Sequence, residues 1–434
     1  MEKIVSLCKR RGFVFQGSEI YGGLAGTFDW GPLGVALKNN VKNIWWKMFV
    51  TDREDMYGLD AAILMNSKVW EASGHVSGFS DPLVECEKCK KRFRSDQLES
   101  KEKCPDCGGK LGAERQFNMM FETQVGAMED SSSTSYLRPE TAQGIFVNFK
   151  NVLDSMHPKL PFGIGQIGKA FRNEITPGNF TFRTREFEQA EIEYFVEPSL
   201  DESKKWFTYW LARWKEFFTD FGIKDENLTI RAHEKSELSH YSAGTSDIEY
   251  NFPFGMSELA GVAQRTKFDL EQHEKHSGVE QKYFDEVNNK KYLPYVVEPT
   301  MGVDRALLAF IVDAYDESDG KDGREKGEVT LRLHPKLAPI KVAVFPLMKK
   351  EKLPETAKDI IADLRKAGIA TFYDESGSIG RRYRRQDEIG TPWCITIDFD
   401  SLKDKSATVR DRDTMKQERV EIDKLTDYLL AKLK

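Results

Sequence analysis

The chain has 434 residues, and its 40% hydrophobic and 12% aromatic side chains supply packed cores and exclude wholesale disorder. Its formal net charge of −6 argues against a protein that coats nucleic acid non-specifically. The length predicts about three domains. The sequence shows neither the roughly 18 apolar residues of a membrane helix nor a signal-peptide run, so a cytoplasmic enzyme is the default expectation.

The N-terminal segment is predicted to begin with a helix and to continue into a glycine-rich run, YGGLAGTFDWGPLG, from Tyr21 to Gly34. Apolar residues then recur at helical spacing from Val35 to Met48, which predicts a second helix directly behind the glycines. Another helix is predicted to begin at Ala142.

Four of the six cysteines form two CxxC pairs, Cys86-x2-Cys89 and Cys104-x2-Cys107, with two glycines after the last. This spacing is typical of a four-cysteine zinc ribbon with a structural role, because four thiolates leave no open coordination position. A pair of disulfides is the alternative, and it is disfavoured in a cytosolic chain. A ribbon that has lost its metal is a second alternative. The ribbon is expected to be an insertion over residues 84–112.

The segment from Gly163 to Gly168 matches GxGxxG, the pattern of a dinucleotide-binding loop. Such a loop must open a helix whose N-terminus faces the pyrophosphate. The residues that follow favour a strand instead, so the match is predicted to be accidental.

Residues 168–196 are predicted to form two long strands joined by a turn at Thr176-Pro-Gly-Asn179. Alternation places Arg172 and Glu174 on one face of the first strand. On the second strand it groups Arg183, Arg185, Phe187, Gln189 and Glu191. Arginines bind phosphate oxygens and a phenyl ring stacks on a purine, so this face suits a nucleotide. The alternative is a solvated, salt-bridged strand face.

Behind this hairpin, Ser199-Leu-Asp-Glu202 has the pattern of a capping box at the start of a helix. Trp206, Trp210 and Trp214 follow at helical spacing and are predicted to pack in the core or at a dimer contact rather than to bind a ligand.

The pattern changes near residues 335–340, after which strands and helices alternate in a small α/β domain. A basic helix within this domain is expected to carry Arg381, Arg382, Arg384 and Arg385. These arginines are candidates for contacts with nucleic-acid phosphates, and a solvated helix face is the simpler interpretation. Arg410 and Arg412 are weaker candidates for phosphate contacts.

Three motifs together make the chain resemble a known enzyme class. FRNE from Phe171, Arg183-x3-Phe187-x3-Glu191, and Gly302-x2-Arg305 resemble motifs 2 and 3 of the class II aminoacyl-tRNA synthetases. The run DWGPLG with its helix resembles motif 1, which builds the dimer interface in that class. Within the class, the chain is similar to the glycyl-tRNA synthetases of the homodimeric, class IIa type. The most specific strings are YGGLAGTFDWGPLGVALKNN, RPETAQGIFVNF, FRNEITPGNFTFRTREFEQAEIEYF and EPTMGVDR.

The resemblance implies an α/β (α+β) fold with a class II catalytic core on an antiparallel sheet flanked by helices. The core would occupy residues 1–335 with the zinc-ribbon insertion at 84–112, and an α/β anticodon-binding domain would occupy 340–434. It implies a cytoplasmic homodimer, with no membrane segment, that uses ATP and Mg²⁺ to activate glycine and charges tRNA(Gly). Zn²⁺ would be structural.

The resemblance also implies roles for individual residues. Arg172 and Arg305 are the expected catalytic residues, Arg172 at the α-phosphate and Arg305 with Arg183 at the β- and γ-phosphates. Glu174 would accept a hydrogen bond from the adenine amino group, and Phe187 would stack on the ring. The implied ATP contacts are Arg172, Asn173, Glu174, Phe182, Arg183, Thr184, Arg185, Glu186, Phe187, Glu258, Leu259, Gly302, Val303, Asp304 and Arg305. The implied glycine contacts are Arg94, Glu140, Phe187, Glu188, Gln189, Ala190, Glu191, Glu298, Pro299, Thr300, Met301 and Gly302. The arginines at 381, 382, 384 and 385 would contact tRNA.

The chemistry is consistent with these implied roles. Glutamates suit the ammonium group of glycine, and a tight wall excludes larger amino acids, so no editing domain is required. The carboxylate of glycine attacks the α-phosphate directly, so no protein nucleophile or general base is named. Two other functions stay open: a catalytically inactive accessory relative, and a zinc-ribbon protein that binds nucleic acid.

Overall fold

The computed structural model describes residues 1–127, 133–234, 243–321 and 323–433. Within these ranges the α-helices are α1 (Glu2–Arg11), α2 (Pro32–Trp46), α3 (Ser67–Ala72), α4 (His75–Gly78), α5 (Ala142–Phe146), α6 (Phe149–Met156), α7 (Leu200–Asp220), α8 (Phe268–Ser277), α9 (Val303–Ala314), α10 (Leu353–Lys366), α11 (Ile379–Asp387), α12 (Ser401–Asp404) and α13 (Leu425–Leu433). The strands are β1 (Val14–Gln16), β2 (Phe28–Trp30), β3 (Met56–Gly58), β4 (Ser80–Glu85), β5 (Arg92–Arg94), β6 (Arg115–Asn118), β7 (Phe121–Gln124), β8 (Thr134–Leu137), β9 (Phe162–Phe171), β10 (Glu186–Val196), β11 (Leu228–Ala232), β12 (Gly244–Phe252), β13 (Gly255–Thr266), β14 (Tyr283–Asp285), β15 (Lys290–Tyr292), β16 (Tyr295–Gly302), β17 (Tyr315–Glu317), β18 (Val329–Leu331), β19 (Val342–Pro346), β20 (Thr371–Tyr373), β21 (Trp393–Ile397), β22 (Ser406–Asp411) and β23 (Gln417–Glu421).

The body of the molecule is built on a seven-stranded sheet with the order β11-β12-β13-β16-β10-β9-β3. Neighbouring strands are antiparallel, except that β3 runs parallel to β9. Helices α2, α7 and α9 contribute the core that packs against this sheet. The predicted class of fold, an antiparallel sheet flanked by helices, is confirmed.

Helix α7 shows how the sequence pattern becomes packing. Its predicted cap is present, since the Ser199 hydroxyl oxygen accepts a hydrogen bond from the Glu202 amide at 3.2 Å. Trp210 and Trp214 are buried against Phe49, with Trp214 and Phe49 ring centroids 4.6 Å apart. The aromatic stripe is therefore core, as predicted.

The hairpin β9–β10 is confirmed, but its connection is much longer than the predicted turn. Strand β9 ends at Phe171 and β10 begins at Glu186, so the arginines and the glutamate between them lie on a loop. Amides of this loop are bonded elsewhere: Asn173 N–H donates to the Met119 carbonyl at 2.7 Å. The prediction that strand alternation orients Arg172, Glu174, Arg183 and Arg185 was wrong for that reason.

The glycines of the GxGxxG match lie within β9, which confirms that no helix begins there. Close packing explains two of them. A Cβ at residue 163 would lie 2.4 Å from the Met56 sulfur, and one at residue 168 would lie 2.2 Å from a guanidinium nitrogen of Arg138.

The C-terminal part contains a five-stranded sheet with the order β20-β19-β21-β22-β23. The pairs of β19 with β20 and β21 are parallel, and the remaining two pairs are antiparallel. Helices α10 and α13 bury apolar faces against this sheet around a core separate from that of the body. The predicted α/β character of this part is confirmed. Among the described helices, none is both long and apolar enough to cross a membrane.

Candidate active site

A cavity of about 280 Å³ lies on one face of the seven-stranded sheet, above β10, β16, β13 and β12. The long β9–β10 connection and the start of α9 form its rim. It is lined by Glu140, Arg172, Glu174, Thr181, Phe182, Arg183, Thr184, Phe187, Gln189, Glu191, His233, Thr245, Asp247, Glu258, Gly261, Val262, Ala263, Glu298, Thr300, Met301, Gly302, Asp304 and Arg305.

Strand register orders the polar groups across the floor of the cavity. Glu191 on β10 pairs with Thr300 on β16, Thr300 pairs with Gly261 on β13, and Gly261 pairs with Asp247 on β12. The central strand β13 therefore contributes small residues, while acidic groups stand on both sides of it. The site therefore has two polar walls, one with Glu191 and one with Asp247, and the small residues of β13 form the floor between them.

One end of the cavity carries arginines over aromatic rings. The Arg305 guanidinium carbon lies 4.4 Å from the Phe182 ring centroid, and the Arg172 guanidinium carbon lies 5.4 Å from that of Phe187. Arg305 also pairs with the Glu258 carboxylate at 3.0 Å, and this charge holds the pKa of Glu258 below its usual range. Arg172 Nε donates to the Pro139 carbonyl at 3.1 Å, which fixes the guanidinium at the cavity wall. Phosphate oxygens and a flat aromatic ligand both suit this end.

The other end is acidic and deeply buried. The hydroxyl of Thr141 donates to the Glu191 carboxylate, and Arg265 Nη1 donates to the Glu298 carboxylate at 2.9 Å. Gln143 Nε2 donates to Glu140 at 3.0 Å. Burial opposes the ionisation of Glu140, but His75, Arg265 and this amide together hold its pKa below the usual range. Such a group of carboxylates suits an ammonium ion.

A fourth carboxylate, Glu193, lies behind this acidic end and is fully buried. Carboxylate oxygens of Glu191, Glu193 and Glu298 lie within 4.8 Å of one another, and neither oxygen of Glu193 has a hydrogen-bond partner among the described residues. Burial and the neighbouring Glu298 charge raise the pKa of Glu193 well above its usual value. Burial also raises the pKa of Glu191 and Glu298. Glu193 therefore keeps its proton at pH values at which an exposed glutamate has lost it.

This cluster predicts how stability depends on pH. Glu193 binds its proton more tightly in the folded state, so it favours folding less and less as the pH rises above about 4.3, the usual pKa of a glutamate. Glu193→Gln removes that linkage while keeping the shape. We expect the variant to gain stability over the wild type between pH 5 and pH 8, by up to about 1.4 kcal/mol per pH unit. Urea unfolding at both pH values measures it.

The control for that experiment is Glu186→Gln, which lies on the same strand but is exposed and pairs with Lys169. Its difference from the wild type should not change with pH in this range. An equal pH dependence in the Glu193→Gln variant and the wild type would contradict the prediction.

The structure does not bring every predicted contact to the cavity. Strand alternation sends Glu186, Glu188 and Ala190 to the opposite face of β10, where Glu188 pairs with Lys38 at 2.6 Å. Leu259 and Val303 are buried in the core, and Pro299 is buried between cavity residues of β16. The predicted residues outside the lining are Arg94, Asn173, Arg185, Glu186, Glu188, Ala190, Leu259, Pro299 and Val303.

Two of these residues have identifiable structural partners at the rim. Arg94 pairs with Asp81 at 2.7 Å and with Asp96 at 2.8 Å. Arg185 donates to the carbonyls of Ala25 and Glu174 and so tethers the β9–β10 connection.

Sequence reasoning also missed several residues that line the cavity. They lie on β12 and β13, directly after β11, and in the β9–β10 connection, and the sequence analysis assigned none of them to the site. They are Thr181, His233, Thr245, Asp247, Gly261, Val262 and Ala263. Beside the lining, the buried Lys38 and Arg265 were missed as well.

The basic helix α11 forms as predicted, but its arginines do not share one solvated face. Arg382 is buried and donates to the carbonyls of Pro346 and Leu347, so its placement among exposed nucleic-acid contacts was wrong. Arg384 pairs with Glu325, and Arg385 pairs with Asp374. Only Arg381 of the four is exposed without an ion pair to a described residue.

The two weaker candidates are structural too. Arg410 forms a buried, two-pronged pair with Asp387, with both distances 2.9 Å. Arg412 is buried and donates to the carbonyls of Leu333 and Gly390.

The four cysteines of the CxxC pairs converge beside a three-stranded sheet of order β5-β4-β6. The sulfurs of Cys86 and Cys107 are 3.5 Å apart, and those of Cys89 and Cys104 are 3.7 Å apart. A disulfide requires about 2.05 Å. Four sulfurs at about 2.3 Å from a tetrahedral zinc ion lie about 3.8 Å apart. The donor set and spacing therefore fit zinc.

Comparisons with known proteins agree with this geometry. Residues 121–315 match the family model "tRNA synthetase class II core domain (G, H, P, S and T)", and residues 341–432 match "Anticodon binding domain". The chain is 57% identical to a glycine–tRNA ligase of Caldanaerobacter subterraneus subsp. tengcongensis, covering 100% of this chain and 98% of that protein. It is 55% identical to one of Clostridium acetobutylicum, covering 100% and 99%.

Among solved structures, prolyl-tRNA synthetase from Cryptosporidium parvum, in complex with halofuginone and AMPPNP, is similar in fold with a TM-score of 0.69. The match covers 99% of this chain and 74% of that one at 15% sequence identity, so it concerns the fold alone.

Proposed function

The chain belongs to the glycine–tRNA ligase family, and from this premise we infer that it activates glycine with ATP and transfers it to the 3′ end of tRNA(Gly). The single observation that carries the inference is the cavity with arginine-covered aromatic rings at one end and buried carboxylates at the other. These two ends match the two substrates of the first step. An inactive relative is disfavoured because Arg172, Phe187 and Arg305 all line the cavity.

We assign the ATP end to the cavity-lining members of the predicted set. Arg172 binds the α-phosphate and the glycine carboxylate as the new bond forms, while Arg183 and Arg305 bind the outer phosphates. Phe187 stacks on adenine, and Glu174 accepts from its amino group. Fixed guanidinium groups stabilise the charge that develops on phosphorus without reorganising.

Magnesium ions fit this end because Mg²⁺ prefers carboxylate and phosphate oxygens. Glu258 is the residue that would hold such an ion. When bound, the ion neutralises charge on the phosphates.

The acidic end binds the glycine ammonium through Glu140, Glu191 and Glu298, with Thr300 closing the wall. A small pocket of this kind rejects larger amino acids by steric clash, a discrimination that is easier to achieve than rejecting a smaller substrate.

The proposed function is tested by ATP–pyrophosphate exchange with each of the twenty amino acids. Exchange with glycine alone is the expected result. Exchange with a different amino acid would keep the class and overturn the pocket assignment. No exchange from folded protein would overturn the enzymatic function and favour the accessory relative.

We assign residues 1–335 to the catalytic domain and 340–434 to the anticodon-binding domain. In the latter, Arg381 is the strongest remaining candidate for a tRNA phosphate contact, since the other three arginines of α11 have protein partners. The cytoplasm, where tRNA is charged, is the proposed location.

A homodimer is proposed from the N-terminal glycine-rich run and its helix. Ile20 and Tyr21 are 89% and 87% exposed in the single chain, an unfavourable state for two large apolar side chains. An interface with a second copy would bury them. Sedimentation equilibrium at micromolar concentration decides between dimer and monomer.

Zinc is proposed to hold the ribbon of residues 84–112. Cys104→Ser should reduce the zinc content of the purified protein to near zero, measured by elemental analysis, because three thiolates and a hydroxyl bind the ion far more weakly. Cys394→Ala, which removes a buried cysteine of β21, is the control and should retain the metal. Equal zinc in both variants would contradict the assignment.

A further inference from the structure

One polar wall of the cavity has no role in the binding of ATP or glycine assigned above. It lies across the floor from the glutamates and is formed by His233, which follows β11, and Asp247 on β12. The complete reaction requires a third ligand in the same cavity, because the terminal hydroxyl of tRNA must reach the carbonyl carbon of the adenylate. The wall of His233 and Asp247 therefore has no assigned ligand, and the terminal ribose of tRNA has no assigned binding residues.

The two side chains form a fixed pair. His233 and Asp247 are joined by a 2.7 Å contact between Nε2 and Oδ2, and the backbone amide of His233 donates to the Thr245 carbonyl at 2.9 Å. Arg231 lies 3.4 Å from the same carboxylate oxygen, behind the pair. The side chain of Asp247 is 9% exposed, so the carboxylate is held rather than solvated.

The remaining carboxylate oxygen of Asp247 faces the floor. It lies 3.4 Å from the position that a Cβ at residue 261 would occupy, so Gly261 leaves the space above it clear. Asp247 and Thr300 stand on either side of β13 in one row. A group bound at Asp247 therefore lies across a single strand from the proposed glycine position.

The chemistry of the wall selects a hydroxyl rather than an anion. Asp247 and Glu258 place two carboxylates in this part of the cavity, so another anionic group would be repelled there. A phosphate would add to that repulsion, whereas a ribose hydroxyl donates a hydrogen bond to a carboxylate. The imidazole of His233 adds a second group able to bond to a vicinal diol.

The position of the wall separates it from the ribose of ATP. Asp247 is three strands from Phe187, about 14 Å at about 4.8 Å per strand. A ribose is bonded directly to its adenine, so the ribose of an adenine stacked on Phe187 stays at that end of the cavity.

We propose that His233 and Asp247 form the subsite for the terminal ribose of tRNA, with Asp247 accepting a hydrogen bond from the 2′-hydroxyl. The proposal rests on the proposed function and assigns this pair to its second step. It makes the small residues of β13 the place where the ribose and the activated glycine meet.

The test separates the two steps in Asp247→Asn. Glycine-dependent ATP–pyrophosphate exchange should fall by no more than about threefold. The single-turnover rate of transfer from preformed glycyl-adenylate to tRNA should fall about 10- to 100-fold, the usual cost of a hydrogen bond to a charged group. Glu249→Gln, on the same strand and outside the cavity lining, is the matched control and should preserve both steps.

A tRNA that ends in 2′-deoxyadenosine identifies the hydroxyl. It should slow transfer by the wild type about as much as Asp247→Asn does, and it should slow transfer by the variant no further. An additive loss would overturn the contact, and so would a loss of exchange equal to the loss of transfer. Absence of exchange in the wild type would instead refute the proposed function.

Discussion

Arg172→Ala is expected to reduce glycine-dependent ATP–pyrophosphate exchange by about 10²- to 10³-fold, the usual cost of removing one prearranged group from a developing charge. The guanidinium stands at the cavity wall between the rings of Phe79 and Phe187, at 5.3 and 5.4 Å, and is oriented by the Pro139 carbonyl. In the proposed site, its loss removes the cation that the α-phosphate and the glycine carboxylate would share. The effect should appear mainly in kcat, because the interaction strengthens as the bond forms.

The control for Arg172→Ala is Lys169→Ala. Lys169 lies on β9, three residues before Arg172, but it is partly exposed and pairs with Glu186 at 2.6 Å. Its removal should therefore leave exchange within about twofold. Thermal unfolding midpoints of both variants show whether the fold is preserved. A folded Arg172→Ala variant with normal exchange would remove this residue from the reaction.

Lys38→Met is expected to destabilise the protein by about 3–5 kcal/mol, because removing one partner of a buried ion pair leaves the others uncompensated. Lys38 is 4% exposed, and its ammonium lies 2.6 Å from both the Asp304 and the Glu188 carboxylates. Burial opposes its charge, but these two neighbours raise its pKa. The stabilisation that Lys38 gives the folded state is therefore complete at neutral pH. It is lost only above about pH 10.4, the usual pKa of a lysine.

The same variant should also weaken ATP binding. Asp304 directly precedes Arg305, and its second carboxylate oxygen accepts from the Glu188 amide at 2.9 Å, next to Phe187. Repulsion between the Glu188 and Asp304 carboxylates would move Phe187 and Arg305, which are proposed to contact ATP. We expect the KM for ATP to rise by about 10-fold or more, since a 1 Å displacement near the chemistry costs up to about 10²-fold in rate. The KM for glycine should change little.

Lys42→Met provides the matched control. Lys42 is on the same helix, is more exposed, and within the described part of the chain pairs with Glu188 alone, at 3.0 Å, so both effects should be small. The triple variant Lys38→Met, Glu188→Gln, Asp304→Asn should recover stability, because none of the three charges of this cluster remains. Equal losses in the Lys38 and Lys42 variants would show that the buried lysine has no special role.

The sequence predicted those features that depend on residues close together along the chain. The two CxxC pairs predicted four converging sulfurs, and the capping box at Ser199 predicted where α7 begins. The string EPTMGVDR implied a site role for Arg305, which lines the cavity from the first turn of α9. In each case the local backbone conformation is enough to position the side chains.

The sequence was less informative where orientation depends on contacts between distant segments. Arg172 and Arg183 were placed on strands, yet they reach the cavity from a loop held by the Met119 carbonyl and other distant partners. Glu188 was expected beside glycine, but the pleat of β10 turns it toward Lys38 on α2. Arg382 was expected on a solvated face and instead satisfies buried carbonyls.

The wall formed by His233 and Asp247 is the clearest case of a feature that folding alone creates. The two residues are 14 positions apart, and neither belongs to a recognisable pattern in the chain. They face the glutamates only because β11, β12, β13 and β16 lie side by side in register. Pairing between strands distant in sequence is set by the packing of the whole sheet, and no local pattern of residues encodes it.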